Sequence, residues 1–232
     1  MVPENKIRDF VSRIRAAAGP NVESVILFGS SVAGDFHPEF SDLNLFCVVR
    51  DSSFAALQAL APAVKWWSTQ KQPPPLVMTR DEIERSTDVF AIEFLDMQQH
   101  HRVLFGKDIL QDLSVPARLH RIQVEYELRE KLTLLRQHLL LASGDKSRLW
   151  DLLVRSVSSF TTLFRHVLIV QGHDAPVGKR EAVQALSQHI EFDISAFMQV
   201  LDLRERKINS KQLDLADVFT RYLSALEQVT AA

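Results

Sequence analysis

Two residues that can cradle an anion and two that can offer it oxygen ligands stand close together in this chain. Gly29 and Ser30 follow the apolar run Val25-Ile26-Leu27-Phe28, and Asp42 and Asn44 open a second run, Leu43 to Val49. A backbone that must come close to an anion calls for glycine, and the serine adds a hydroxyl donor beside backbone N–H groups. Residues i and i+2 of a strand share a face, so Asp42 and Asn44 point together toward the Gly29-Ser30 loop while Leu43 and Leu45 point away. One carboxylate and one amide oxygen therefore face the place where a phosphate would sit.

The elements that must hold these residues are a strand, a loop that starts at Gly29-Ser30 and ends at Ser41-Asp42, and a second strand. Leu27-Phe28-Gly29-Ser30, then eleven residues, then Asp42-Leu43-Asn44-Leu45 resembles the hallmark of the polymerase-beta-like nucleotidyltransferases. That hallmark is apolar-Gly-Ser, a loop, then Asp-x-Asp or Asp-x-Glu. The departure is Asn44, which stands where the family has its second carboxylate. The resemblance implies Gly29, Ser30, Ser31, Ser41 and Asn44 as substrate-binding residues, Asp42 as the catalytic residue, and Asp42 with Asn44 as the metal pair. It implies nucleotide triphosphate oxygens against Gly29-Ser30 and Mg²⁺ as the ion. Magnesium prefers hard, charged oxygen ligands, so an amide at 44 predicts that the ion is held weakly or not at all.

Around this pair the chain reads as a small domain. Ile7, Phe10, Val11 and Ile14 recur at helical spacing between Pro3 and Gly19-Pro20, predicting a helix that covers one face of the sheet. Ser52-Ser53 can cap a second helix, with Phe54, Leu57 and Leu60 on one side and Pro62 kinking or ending it. Trp66-Trp67 then close the unit by packing, one ring inward and the other along an edge. Pro73-Pro74-Pro75 leads stiffly into Leu76 to Thr79, a third strand that lacks the carboxylate the family commonly carries there. Asp81 reads as a helix cap or first-turn residue, and Glu93 and Asp96 as acids that could enter the site or simply be solvated. Arg102 to Gly106 reads as a last strand. His100 and His101, being adjacent, face opposite ways and cannot easily share a metal. His37, in the Gly-Ser loop, is a candidate for substrate contact or a plain surface histidine.

From Pro116 onward the pattern is helical only. Leu119 through Leu139 fits one long helix, and Leu149 through Leu168 carries an apolar stripe wide enough to need cover from several sides, which marks the centre of a bundle. Segments 179–189, 193–203 and 213–229 add three more helices. The expected fold class is α+β: a mixed-sheet domain over residues 1–112 and an all-α helical bundle over 113–232, the combination found in kanamycin-type nucleotidyltransferases and in paired toxin–antitoxin proteins. In the enzymes the acceptor lies in the cleft between domains, and a bundle carboxylate acts as base; Glu125, Glu130 and Asp151 are available here, and solvated helix faces explain all three equally.

Composition narrows the partners. Of 232 residues, 27 are Lys or Arg and 29 are Asp or Glu, so there is no overall basic field to imply duplex nucleic acid. The most apolar stretch, 149–170, is interrupted by Asp151, Arg155 and Arg165, and the N-terminus lacks the layout of a signal peptide, so a cytoplasmic protein with no membrane partner is expected. Cys47, the single cysteine, lies among bulky apolar residues and reads as a buried thiol. No Arg stands four to six residues before any His, which disfavours the ribonuclease of a related bundle class. Two functions remain in view. One is transfer of a nucleoside monophosphate from a nucleoside triphosphate to a hydroxyl on a small molecule or protein. The other is a catalytically degenerate nucleotide-binding or protein-interaction member, regulatory and antitoxin-like. A homodimer is left open.

Overall fold

The computed structural model describes residues 2–33, 41–117 and 119–232. The chain divides into two compact units, Met1–Arg118 and Leu119–Ala232. The first is a sheet with helices on both faces, the second is all helix, and the α+β expectation holds.

In the first unit, α1 (Glu4–Ala18) buries Ile7, Phe10 and Ile14, the residues that the 3.6 period selects. Strand β1 (Val22–Phe28) and strand β2 (Asn44–Val49) pair antiparallel, with Phe28 opposite Asn44 and Val25 opposite Cys47. Helix α2 (Phe54–Thr69) leads to β3 (Leu76–Thr79), which joins β2 in parallel. Two short helices, α3 (Arg80–Ser86) and α4 (Ala91–Gln99), precede β4 (His101–Gly106), antiparallel to β1. The sheet is therefore mixed, in the order β3-β2-β1-β4.

Alternation along β1 and β2 builds two cores. Val25, Leu27, Leu43, Leu45, Cys47 and Val49 pack against α1 and α2, with Trp67 beneath. Ile26, Phe46 and Val48 face the other way, onto Met78, Ile83, Phe94 and Met97. A period of two in a sheet buried on both faces yields a nearly continuous apolar run, which is why β2 reads as Leu-Phe-Cys-Val-Val without polar breaks.

Three sequence expectations change in detail. Pro62 neither ends nor interrupts α2, which continues to Thr69. Pro62 lies on the solvent side, where water can take up the carbonyl its ring leaves unbonded, while buried Leu60, Ala63 and Trp67 hold the helix to α1. Phe10 and Trp67 meet at 5.0 Å between ring centroids. Strand β1 begins at Val22, earlier than its apolar run, because buried Ser24 satisfies its hydroxyl on the carbonyls of Phe105 and Lys107. The cap of α3 is Thr79 in a reciprocal arrangement with Glu82, and Asp81 is a first-turn residue. Gly106 ends β4 with φ 81°, and a Cβ there would stand 1.9 Å from the Glu23 carbonyl oxygen, so the sheet edge requires glycine.

The second unit contains α5 (His120–Ala142), α6 (Lys146–Val170), α7 (Lys179–Ser187), α8 (Ser195–Arg204) and α9 (Leu215–Ala231). Helix α6 packs on all four others, as its wide stripe demands. It is long and apolar enough to cross a membrane by length and composition, yet half of its most apolar window is buried within the protein. Buried Leu153, Val157, Phe160, Phe164 and Leu168 identify it as the core helix of the unit. Tyr222 stacks on Phe197 at 4.4 Å, and its hydroxyl meets Ser156 at 3.1 Å, so the buried phenol keeps a partner.

Candidate functional site

The end of β1 and the start of β2 carry the site. Phe28 leaves β1 fully extended, and Gly29 turns the chain with φ 79° into a single 3-10 turn, Gly29–Ser31. The turn is closed by Gly29 itself, whose carbonyl accepts the N–H groups of Val32 (2.9 Å) and Ala33 (3.1 Å). Any other residue at 29 would hold a left-handed backbone and place its Cβ 3.2 Å from the Asn44 side-chain amide, so the close approach of Asn44 to the turn depends on glycine.

Opposite this turn, Asn44 is paired with Phe28 on the sheet face that packs on α3 and α4, since its i+2 neighbours Phe46 and Val48 do so. Leu43 and Leu45 are buried in the α1 and α2 core on the other side. For Leu43, Asn44 and Leu45 the expected division of faces is the observed one. Asp42 lies just before β2 and is exposed.

The hydrogen-bond pattern separates structural from available groups. Gly29 N–H is occupied, donating to the His100 carbonyl at 3.3 Å, and the Ser31 hydroxyl donates to the Phe28 carbonyl at 3.3 Å. In contrast, the Ser30 hydroxyl, the Asp42 carboxylate and the Asn44 amide engage no partner among the described residues. None of the three is buried, so water can satisfy them, and a polar ligand can take the place of that water at this end of the sheet. Ser41, by its position beside Asp42, borders the same place. His37 lies outside the described residues.

Sequence reasoning missed what holds the Asp42-Leu43-Asn44 segment in position. The Leu43 N–H donates to Gln72 Oε1 at 2.8 Å. Gln72 in turn donates to the Gln70 carbonyl at 3.4 Å, across a turn in which Lys71 adopts φ 60°. The bond continues the β2–β3 hydrogen bonding beyond the first residue of β3 and fixes the peptide between Asp42 and Asn44. A lone glutamine before three prolines carries no periodic signal, so nothing in the pattern marked it.

The other acids and histidines are placed as follows. Glu93 and Asp96 lie on α4, which packs on the Asn44 face of the sheet; Glu93 is exposed and Asp96 partly so. His101 is structural: its ring joins the Met97 carbonyl at 2.8 Å and Asp108 at 2.9 Å. Burial acts to raise the Asp108 carboxyl, but His101 and the N–H groups of Leu110 and Gln111 outweigh it and hold the group below its ordinary range. Cys47 is fully buried, and burial alone pushes its thiol up to about 12, as suits an inert core residue.

Among the described residues, no three His, Cys, Asp or Glu side chains gather to hold a metal ion. Asp42 and Asn44 supply one charged and one neutral oxygen. That set does not fit a protein-built pair of metal sites. It fits a single hard ion that shares its coordination with water and substrate phosphates, the manner in which magnesium is commonly held.

Residues 4–99 match the family model described as the nucleotidyltransferase domain. No curated protein matches the sequence. Among solved structures, the chain is similar to the spectinomycin adenyltransferase from Enterococcus faecialis, whose crystal structure holds ATP and spectinomycin. The similarity has a TM-score of 0.61 at 13% identity, over 98% of this chain and 98% of that one. A toxin-antitoxin structure with AMP-PNP also matches, at TM-score 0.32 and 18% identity, over 57% of this chain and 96% of that one, a likeness too slight to bear on the fold. The chain has the polymerase-beta-like nucleotidyltransferase fold, with a nucleotidyltransferase domain at residues 4–99.

Proposed function

We propose that this protein binds a nucleoside triphosphate at the Gly29–Ser31 turn and transfers its nucleoside monophosphate to a hydroxyl of a small-molecule or protein acceptor. The observation that carries the reading is the set of three polar groups without partners among the described residues, Ser30, Asp42 and Asn44, at the end of the sheet where Gly29, with positive φ, leaves room beside Asn44. The nucleotidyltransferase domain match and the adenyltransferase fold support nucleotidyl transfer as the class of chemistry. Ser30 would donate to a phosphate oxygen, and Asn44 would offer its amide beside it. Asp42 with Asn44 would hold one Mg²⁺, which neutralises phosphate charge when bound with the nucleotide. Ser31 and Ser41 border the site, and the Ser31 hydroxyl turned toward Phe28 leaves its contribution to the turn's shape.

One specific observation favours a second reading. The residue against Gly29 is an amide where the resembled family has a carboxylate, which suits a member that binds nucleotide without turnover and acts as a regulator.

The experiment that separates them incubates the full chain with α-³²P-labelled nucleoside triphosphates, Mg²⁺ or Mn²⁺, and a panel of hydroxyl-bearing small molecules and proteins. Labelled acceptor that disappears with Asp42→Asn supports transfer. Saturable nucleotide binding that involves Ser30 and Asp42, with no labelled product, supports the regulator. Absence of nucleotide binding refutes both.

A further inference from the structure

The helical unit has an open groove of ≈ 960 Å³ where the end of α5, the start of α6, a 3-10 turn at Ser210–Gln212 and the start of α9 meet. Its apolar wall is made of Leu149, Trp150, Leu213, Leu215 and Phe219, continued by Leu139 of α5. The groove is large enough to seat a drug-sized ligand with one side left to solvent, and an aromatic and aliphatic wall is what such sites use to supply binding energy.

The polar groups at this groove are not neutral in sum. Lys146 and Lys211 line it, both are exposed, and neither forms an ion pair among the described residues. The other lysines of the unit are engaged: Lys131 with Glu127, Lys207 with Glu205, and Lys179 with a partner of its own. One acid, Asp214, also lines the groove; one of its carboxylate oxygens accepts the N–H groups of Ala216 and Asp217 as the cap of α9, and its negative charge stays in the lining. The start of α6 is likewise closed by Asp145, which accepts from Ser147 and Arg148. The first-turn N–H groups are thus satisfied within the protein, and the lining carries two ammonium groups against the one carboxylate of Asp214, a net positive charge of one. Long lysine stems can lie along the apolar wall and keep their charged ends at the mouth.

We infer that this groove binds an amphipathic organic anion, with an apolar body against Trp150 and Phe219 and a terminal carboxylate between Lys146 and Lys211. Charge complementarity commits the occupant: a cationic or neutral amphiphile would satisfy the wall but leave the two ammonium groups unpaired. The site uses none of the residues assigned to nucleotide, so its failure and the failure of the nucleotide reading are separate results.

The test is titration calorimetry of the full chain with laurate below its micellar concentration, at low ionic strength, with dodecyltrimethylammonium as the cationic control. Tryptophan emission is recorded in parallel, with Trp150→Phe to isolate the signal from Trp66 and Trp67. The expected result is saturable one-site binding of laurate, at least tenfold tighter than that of the cation. A Lys146→Ala, Lys211→Ala double variant should lose at least tenfold in affinity, and raised salt should weaken binding in the native chain. Asp42→Asn should bind laurate as the native chain does. Because both lysines are exposed and unpaired, their replacement leaves the fold intact, and calorimetry does not depend on the tryptophan variant. Absence of saturable laurate binding, equal affinity for the cation, or full affinity in the double-lysine variant would each overturn the inference.

Discussion

Replacing Asn44 by aspartate should change nucleotide binding in opposite directions with and without metal. In Mg²⁺ the new carboxylate stands beside the shared ion; at a separation of ~4 Å and an effective dielectric of ~20, a unit charge and a divalent ion interact by about 8 kcal/mol, twice the value for a unit pair. Several effects reduce that figure. The amide oxygen already coordinates, Asp42 is exposed and its surroundings are better screened than this dielectric assumes. Two carboxylates at the i,i+2 spacing of a strand, ~6.5 Å, also repel by about 2–3 kcal/mol at the same dielectric until the ion arrives. Retention of ~1.4 kcal/mol is enough for a tenfold gain in affinity. In a chelator the sign reverses, because the triphosphate then meets two carboxylates rather than one, and binding should weaken. Calorimetry of native and Asn44→Asp chains with a nucleoside triphosphate, in Mg²⁺ and in EDTA, reads both directions. Asp42→Asn should remove whatever metal dependence the native chain has. Equal affinity of the two chains in both buffers would place Asn44 away from the ligand. Tight Mg²⁺-dependent binding in the native chain with no gain on substitution would mean that another acid, Glu93 or Asp96 first, completes the site.

Gln72→Ala removes the acceptor of Leu43 N–H and should cost about 1 kcal/mol in urea denaturation. It should also weaken nucleotide binding, and a loss of stability with unchanged affinity would show that this bond does not position the site. Cys47, buried and with its thiol pushed up to about 12, should resist iodoacetamide in the folded chain at pH 8 and react on unfolding; labelling of the native state at the rate of a free thiol would contradict its burial. Glu23 is held below its ordinary 4.5 first by the hydrogen bond from Arg80, against burial, with Arg50 adding to it. A depressed carboxyl stabilises the fold above its unfolded pKa and loses that contribution as pH falls through the lower folded value. Glu23→Gln should therefore reduce stability at pH 7 and flatten its decline below about pH 4.5, as followed by thermal unfolding across that range; parallel pH profiles for the two chains would refute the assignment.

What was legible in the sequence follows the strength of the period behind it. Ile7, Phe10 and Ile14 repeat every three to four residues and were found buried, and the stripe from Leu153 to Leu168 demanded a central helix and became one. The double burial of β2 was readable because a strand covered on both faces has no polar alternation to hide it. Misjudged boundaries fall where a local preference was overruled by packing. Pro62 discourages a helix on its own, yet Trp67 and Ala63 beyond it are buried against α1. Ser24 looks like a break in a strand until Phe105 of β4 and Lys107 just after it supply the two carbonyls that its hydroxyl reaches.

The site divides along the same physical line. Gly29 and the alternation of Leu43, Asn44 and Leu45 follow from backbone geometry that a sequence specifies locally: a positive φ and the period of two. Which of the polar groups are free to meet a ligand is decided by partners distant in sequence. His100 takes the Gly29 N–H from across the β1–β4 pairing, and Gln72 takes the Leu43 N–H from beyond α2. These two bonds spend the backbone donors next to the glycine and next to the carboxylate. In the proposed site the contacts are the Ser30 hydroxyl, the Asp42 carboxylate and the Asn44 amide, beside the Ser30 and Ser31 N–H groups that these two bonds do not use. The proposed site thus combines the backbone of the turn with three side chains held on ordered backbone. Within that proposal residue 44 is the position where amide and carboxylate differ by one full charge, so its identity sets how strongly a metal-bound phosphate would be held.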